Sequence, residues 1–121
     1  MDFYQLINRD DSRKYNADIV DVYDGDTVTA TIHLGLNIIL HSQKIRLCGI
    51  DTPEIRGDER VEGIKARDYV RTKILHRSVI LHTIKNDKCD KYGRLLGIIQ
   101  LNDEIINQLL LEHGLAKLYA K

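Results

Sequence analysis

Residues 22–34, VYDGDTVTATIHL, decide the fold. The second half of this stretch alternates apolar residues with threonine or histidine, which is the period-two pattern of a half-buried strand. The preceding segment, ADIVDVY at 17–23, predicts a partner strand, and Asp24-Gly25 is typical of the turn of an antiparallel hairpin. The alternation gives Asp26 the same parity as the apolar residues. We therefore expect its carboxylate to point toward the interior of the fold or its mouth.

The rest of the chain alternates between strand and helix patterns. Further strands are predicted at 40–50, 79–85 and 94–100, and amphipathic helices at 62–75 and 103–114. Asn102 or Asp103 is the expected N-cap of the second helix. Five short, mostly antiparallel strands with helices set apart in the order predict an α+β fold, and a five-stranded Greek-key β-barrel fits this pattern.

Length and composition bound the domain count and the class of partner. The chain has 121 residues, 43% of them hydrophobic, so we expect a single domain over residues 1–121, with 1–14 as a poorly ordered N-terminal arm. Basic and acidic side chains number 18 each, which excludes a strong overall positive field. A nucleic-acid partner would therefore need a local site. Cys48 and Cys89 are too few for a disulfide scaffold, so we expect free thiols.

The amino-terminal sequence bears on location. Its first 15 residues lack a basic segment followed by an apolar one, and no apolar run approaches the ~20 residues of a membrane span. We expect a cytoplasmic protein, or a secreted one if a leader has been removed.

Two acidic segments predict a metal site. A buried lone carboxylate such as that of Asp26 must be protonated, paired or bound to a cation. In GIDTPE, 49–54, the proline stiffens the loop, so Asp51, the Thr52 carbonyl and Glu54 can form a fixed set of oxygens; a solvated turn is the alternative. Hard oxygen ligands without a nearby Cys or His motif suit Ca²⁺ or Mg²⁺ better than zinc.

Two arginines complete the predicted site. A guanidinium group matches phosphate oxygens, so Arg46 and Arg94 beside a carboxylate-bound metal would suit phosphoryl transfer, although each by itself is more often a surface residue. Five positions separate Arg46 from Asp51, and an unbroken strand would place them on opposite faces. We therefore expect a bulge at Gly49, or a strand end before Asp51.

The combined motifs resemble those of the staphylococcal nuclease (thermonuclease) family. VYDGDTV, IRLCGIDTPE, DKYGR and EHGLAKLY occur in the family's order, and the resemblance extends from about Ala17 to Tyr119. It implies an OB-like barrel with two or three packed helices. It also implies a Ca²⁺-dependent endonuclease, with Mg²⁺ less favoured, that hydrolyses DNA or RNA and leaves 3′-phosphate ends. Single-stranded substrates and a monomer are expected.

The resemblance also implies roles for individual residues. It implies Asp26, Asp51 and the Thr52 carbonyl as metal ligands with Asp24 just outside them, Arg46, Glu54 and Arg94 as catalytic residues, and Lys91, Tyr92 and Tyr119 as substrate contacts. Glu54 would position or deprotonate the attacking water. Two alternatives stay open: a nucleic-acid-binding module of the same fold without catalysis, and a phosphatase or phosphodiesterase acting on small molecules.

Overall fold

Strands dominate the computed structural model, which describes residues 2–119. In chain order the elements are α1 (Phe3–Ile7), β1 (Arg13–Asp24), β2 (Thr27–Gly35), β3 (Ile38–Leu47), β4 (Ile50–Asp51), a 3-10 turn (Gly57–Glu59), α2 (Arg60–Ile74), β5 (Ser78–Thr83), β6 (Leu95–Leu101), β7 (Glu104–Ile105), α3 (Ile106–Glu112) and β8 (Lys117–Leu118).

Five of these strands close into a barrel. The neighbours run in the order β3, β2, β1, β5, β6, and each of these pairs is antiparallel. The barrel closes where the end of β3 pairs in parallel with the start of β6, Ile45 opposite Leu95 and Leu47 opposite Gly97. The predicted α+β fold, a five-stranded OB-like barrel with packed helices, is confirmed.

As predicted from the alternation, every second residue of β2 up to Ile32 points into the barrel. Val28 and Ala30 are fully buried and Ile32 is nearly so, while Asp26, just before the strand, is only 7% exposed. Leu34 has the same parity but is exposed, because it lies where the β2–β3 hairpin extends past the core. Asp26 is therefore a carboxylate at the edge of an apolar interior.

Of the two longer helices, one lies where the sequence predicted it and the other begins later. The predicted helix at 62–75 is confirmed as α2, which buries Gly63, Ala66, Val70 and Ile74. The second helix begins later than predicted. Residues 104–105 pair with the end of β6 as β7, so the N-cap is Ile105, and the expectation of Asn102 or Asp103 was wrong.

The amino-terminal residues differ from the expected arm. Residues 3–7 form α1, and the carboxylate of Asp2 accepts hydrogen bonds from the amides of Tyr4 and Gln5 at 3.0 and 3.3 Å. Phe3 is 1% exposed and belongs to the hydrophobic core. Leu6 and Ile7 also pack against this core, so three apolar side chains dock the short helix.

The strand predicted at 40–50 is broken, as the position of Asp51 required. β3 ends at Leu47, Gly49 has a φ of +80°, and Ile50–Asp51 pairs instead with Lys117–Leu118. Glycine tolerates this left-handed conformation without steric cost. Both cysteines are free thiols, as predicted. Within residues 2–119, no helix is both long enough and apolar enough to cross a membrane.

Candidate active site

Asp26 lies at the centre of a polar cluster at the mouth of the barrel. Its Oδ2 accepts a hydrogen bond from the Thr52 amide at 3.1 Å, and its Oδ1 accepts one from the Thr27 hydroxyl at 3.3 Å. The Asp26 carbonyl also accepts from the Leu47 amide at 2.8 Å. These bonds join the β1–β2 turn to the end of β3 and to the loop after β4, so both the main chain and the carboxylate of Asp26 are fixed in place.

Arg46 connects the two predicted carboxylate ligands. Its Nη1 lies 3.4 Å from Oδ2 of Asp26 and its Nη2 lies 3.6 Å from Oδ1 of Asp51. Both distances exceed the 2.7–2.9 Å typical of a charge-assisted hydrogen bond, so the two ion pairs are loose. Nη1 also donates to the Leu47 carbonyl at 2.9 Å. The break at Gly49 therefore brings Arg46 and Asp51 to one side, as the sequence required.

Asp24 adds a third carboxylate beside Asp26. One of its oxygens accepts a hydrogen bond from the Asp26 amide at 3.1 Å. Burial, and after it the charge of the neighbouring Asp26, raises the pKa of Asp24 to about 7. Asp26 and Asp51 outnumber the one guanidinium that contacts them, so the cluster has an excess of negative charge even with Asp24 partly protonated.

Arg94 reaches Asp26 indirectly, through Thr27. Nη1 of Arg94 donates to the Thr27 hydroxyl at 3.2 Å, and that hydroxyl in turn donates to Asp26. Nε and Nη2 of Arg94 both lie 2.8 Å from Oδ2 of Asp90. Burial alone would raise the pKa of Asp90, but hydrogen bonds from Arg94 and from the Tyr92 amide outweigh it and lower that pKa.

Sequence reasoning assigned no role to Thr27 or Asp90, although both stand inside quoted motifs, DGDT and DKYGR. For Asp90, the distance along the sequence to Arg94 gave a partial indication of its role. Asp90 lies four residues before Arg94, a separation at which a compact loop can pair them. Nothing in the sequence indicates the contact between Thr27 and Arg94, because these residues are 67 positions apart in the chain.

The three predicted substrate contacts lie near the arginines. Tyr92 is 73% exposed, and both the Nζ of Lys91 and the Cζ of Arg94 lie over its ring, 5.2 and 5.4 Å from the centroid. Tyr119 covers the other arginine: the Cζ of Arg46 is 5.5 Å from its ring centroid. Each catalytic arginine predicted from the sequence is thus accompanied by an exposed tyrosine.

Glu54 is exposed and lines a cleft of about 270 Å³. The cleft is lined by Asp51, Thr52, Pro53, Glu54 and Glu59 together with residues 114–117. The Glu54 carboxylate has no hydrogen bond within residues 2–119, and its amide donates at 3.5 Å to Glu59. A free, solvent-accessible carboxylate beside Asp51 can approach a water molecule.

Two glycines allow the backbone segments of the site to approach closely. A Cβ on Gly25 would lie 2.7 Å from the Thr52 side chain, and a Cβ on Gly63 would lie 2.0 Å from the Glu54 carbonyl oxygen. Helix α2 therefore packs directly on the main chain that carries Glu54. Sequence analysis missed Gly63, because a glycine within a helical pattern signals only a weak helix position.

The donor set at Asp26 and Asp51 fits a hard divalent cation. Every candidate ligand is an oxygen, and the excess negative charge favours a further cation. Within residues 2–119, no three His, Cys, Asp or Glu side chains converge in the manner of a metal site built from side chains only. A cation here would be held by Asp26, Asp51 and the Thr52 carbonyl, with water completing its coordination.

Comparison with known proteins places the chain in a family. The family model described as staphylococcal nuclease homologue matches residues 44–121, more than half of the chain. The chain belongs to the staphylococcal nuclease family. The resemblance read from the motifs is thereby confirmed, and the matched region includes Arg46, Asp51, Glu54 and Arg94.

Relatives in this family include proteins named as nucleases. The chain is 31% identical over 102 residues to a thermonuclease of Staphylococcus hyicus, and the alignment covers 82% of this chain and 56% of that protein. It is 32% identical over 99 residues to a thermonuclease of Staphylococcus intermedius, covering 79% and 55%. It is 34% identical over 111 residues to endonuclease YhcR of Bacillus subtilis, covering 84% of this chain and 9% of that protein. The chain thus spans little more than half the length of the two thermonucleases.

Proposed function

We propose that this chain is a nuclease that hydrolyses phosphodiester bonds of DNA or RNA with the help of bound Ca²⁺. The observation that supports this most strongly is the arrangement around Asp26. Arg46 approaches one of its carboxylate oxygens, and Arg94 is linked to the other through the Thr27 hydroxyl. Two cationic groups and an acidic, metal-compatible cluster therefore meet at one point, which suits a phosphodiester.

The arginines would bind and stabilise the scissile phosphate. A guanidinium has five N–H donors, and within residues 2–119 Arg46 and Arg94 each direct three contacts to protein oxygens. Two donors on each therefore remain for phosphate oxygens. Negative charge accumulates on those oxygens in the transition state, so fixed guanidinium groups lower the barrier.

Glu54 would act on the nucleophile. Glu54 is exposed, lines the same cleft as Asp51, and its carboxylate has no hydrogen bond within residues 2–119 that would occupy it. It can therefore orient a water molecule and accept its proton, provided that the water lies within hydrogen-bond reach. Bound Ca²⁺ would supply Lewis-acid stabilisation of the phosphate.

Exposed tyrosines would favour flexible substrates. Tyr92 and Tyr119 present rings beside the arginines, and such rings stack on unpaired bases. Single-stranded DNA or RNA is therefore the proposed substrate, with Lys91 contacting a neighbouring phosphate. The family resemblance adds 3′-phosphate product ends. One chain supplies every residue of this site, so a monomer would be the catalytic unit.

Hydrolysis of end-labelled denatured DNA tests the proposal. The purified protein would be assayed in Ca²⁺, in Mg²⁺ and in chelator, beside Glu54→Gln and Arg94→Ala. A Lys65→Ala variant is the matched control, since Lys65 makes only a surface ion pair with Glu62 at 3.7 Å. We expect Ca²⁺-dependent cleavage, lowered by a factor of about 10²–10³ in Arg94→Ala.

The control should cleave as the wild type does. A folded wild-type protein that binds DNA but cleaves it under none of these conditions would contradict the proposal and favour a non-catalytic binding module. Cleavage of a simple phosphate ester in preference to DNA would favour the small-molecule enzyme.

A further inference from the structure

Tyr23 is an exposed aromatic residue next to the acidic cluster of the candidate active site. It is 49% exposed, and it immediately precedes Asp24 at the end of β1. Within residues 2–119, no aromatic ring and no cationic group lies over its ring, whereas cations lie over the rings of Tyr92 and Tyr119. About half of the Tyr23 side chain is therefore accessible, and its ring is not already occupied by a cation.

Arg56 supplies a positive charge beside this ring. Its Nη2 lies 3.5 Å from the hydroxyl oxygen of Tyr23. The Arg56 side chain is exposed and forms no ion pair within residues 2–119, although the sequence places Glu54, Asp58 and Glu59 close to it. A guanidinium has five N–H donors, so most of those on Arg56 remain free to bind phosphate oxygens.

Helix α2 fixes the main chain on both sides of this pair. Nε and Nη2 of Arg71 donate to the carbonyl of Val22, the residue before Tyr23, at 3.3 and 3.0 Å. The same helix packs through Gly63 against the main chain of Glu54, in the loop after β4. The end of β1 and that loop are therefore held relative to each other. A ring fixed in this way loses little conformational entropy when a ligand stacks on it.

The pair lies across Asp26 from the two arginines that would bind the scissile phosphate. In the barrel, β2 lies between β1 and β3. Arg46 belongs to β3, and Arg94 directly precedes β6, which pairs with β3, so both reach the cluster from the β3 side. Tyr23 ends β1, on the other side of β2. A nucleic-acid strand that is bound at one phosphate by the two arginines and continues across β2 therefore reaches Tyr23 and Arg56.

We propose that Tyr23 and Arg56 form a subsite for the nucleotide next to the scissile phosphate. The base stacks on the Tyr23 ring, and the further phosphate of that nucleotide pairs with Arg56. This inference rests on the proposed function, because it takes single-stranded nucleic acid as the substrate. Aromatic rings stack on every kind of base, and a guanidinium matches the phosphate that every nucleotide carries. The subsite therefore favours a nucleic-acid strand over a small phosphate ester, without selecting its sequence.

Tryptophan fluorescence tests the stacking directly. The chain contains no Trp, so Tyr23→Trp in a Glu54→Gln background gives a full-length protein with one tryptophan, at the subsite. A single-stranded oligothymidylate added in Ca²⁺ should quench its emission in a saturable manner. The matched control is Tyr4→Trp in the same background, because Tyr4 is 53% exposed on α1 and contacts residue 103, beyond the far end of β6. Its emission should not change.

Fluorescence anisotropy of the labelled strand measures the contribution of the ring to affinity. In the Glu54→Gln background, Tyr23→Ala should raise Kd about 5- to 150-fold, as expected for the loss of one base–aromatic stack. Tyr23→Phe keeps the ring and should bind nearly as the parent does, and so should Tyr4→Ala. Tyr23→Leu replaces Tyr23→Ala if the latter fails to fold.

The salt dependence of Kd tests the phosphate contact. Each phosphate contact to a single strand contributes about 0.7 to the slope of log Kd against log salt concentration. Arg56→Ala should lower the slope by about this amount, whereas Tyr23→Ala should leave it unchanged. A merely structural role of Arg56 would not alter the slope.

Three results would overturn the subsite while leaving the proposed function intact. They are a strand that binds without quenching Tyr23→Trp, a Kd that Tyr23→Ala leaves unchanged, and a slope that Arg56→Ala leaves unchanged. Failure of the parent protein to bind the strand under any salt condition would instead overturn the proposed substrate, and the subsite with it.

Discussion

Substitution of Gly63 by alanine tests whether helix α2 positions Glu54. An added Cβ would lie 2.0 Å from the Glu54 carbonyl oxygen and 2.8 Å from that of Pro53, and both atoms belong to the main chain. Contacts below 3.0 Å are essentially never observed for a Cβ, so the helix and the loop must separate by at least about 1 Å. Helix propensity acts in the opposite direction, because alanine stabilises a helix interior by about 1 kcal/mol relative to glycine.

The steric contact lowers the unfolding free energy of the variant and the helix propensity raises it, so the sign of the measured change shows which effect is larger. Overpacking of this kind costs about 1–3 kcal/mol, and a backbone obstacle places it at the upper end. After subtraction of the propensity gain, the variant should lose roughly 1–2 kcal/mol of unfolding free energy. For a chain of this size that corresponds to a fall in Tm of roughly 4–8 °C. Since a 1 Å displacement of a catalytic group can lower a rate about 10²-fold, kcat should fall by a factor of up to about 10².

Thermal unfolding and steady-state hydrolysis of denatured DNA measure the two quantities. Lys65→Ala, two residues along the same helix and largely exposed, controls for substitution in α2. The loss of kcat should be seen well below the Tm of the variant, so that it reflects displacement of Glu54 and not unfolding. A Gly63→Ala protein that is more stable than the wild type and equally active would refute the reasoning, because propensity would then outweigh the contact.

Three further predictions concern the arginines, the Thr27 hydroxyl and pH. Arg94→Lys should lower kcat by about 10²–10³, because an ammonium group cannot hold Asp90 and Thr27 in the fork that the guanidinium forms; single-turnover rates would check this, and an unimpaired enzyme would count against it. Thr27→Val removes hydrogen bonds to two charged groups, each worth about 1.5–3 kcal/mol of stability, so Tm should fall. The rate kcat, measured well below the Tm, should also fall because Arg94 loses its link to Asp26, and an unchanged kcat would contradict this. Burial lowers the pKa of His82, whose Nε2 lies 2.8 Å from Gln100 Oε1, so the unfolded chain binds more protons and stability should decline as pH falls below about 6.5. Denaturant unfolding at pH 7.5 and 5.5 measures this, and a His82→Gln protein should show a smaller decline.

Most of the barrel could be predicted from the sequence because its signals are local. The two-residue period of β2 and the 3.6-residue period of α2 each depend only on residues within one element. Both elements occur where predicted. The burial of Asp26 was also predicted locally, from its position in the alternation of β2. So was the break at Gly49, because an unbroken strand would place Arg46 and Asp51 on opposite faces.

Prediction from local pattern failed where contacts with a distant segment determined the secondary structure. Residues 104–105 have a helical pattern, but pairing with β6 captures them as β7 and delays the start of α3. At the amino terminus, the core accepts Phe3 and so orders a helix that composition did not indicate.

The sequence by itself determined the kinds of residue available at the site: carboxylates with the right parity, two arginines, and a loop stiffened by Pro53. The tertiary structure decided which atoms meet. The bond between Asp26 and the Thr52 amide joins residues 26 apart, and that between Arg94 and Thr27 joins residues 67 apart. The packing of Gly63 against Glu54 and of Tyr119 over Arg46 likewise has no local signature. Periodicity reports which face a residue occupies, whereas such contacts form only when the barrel closes and brings its turns to one end.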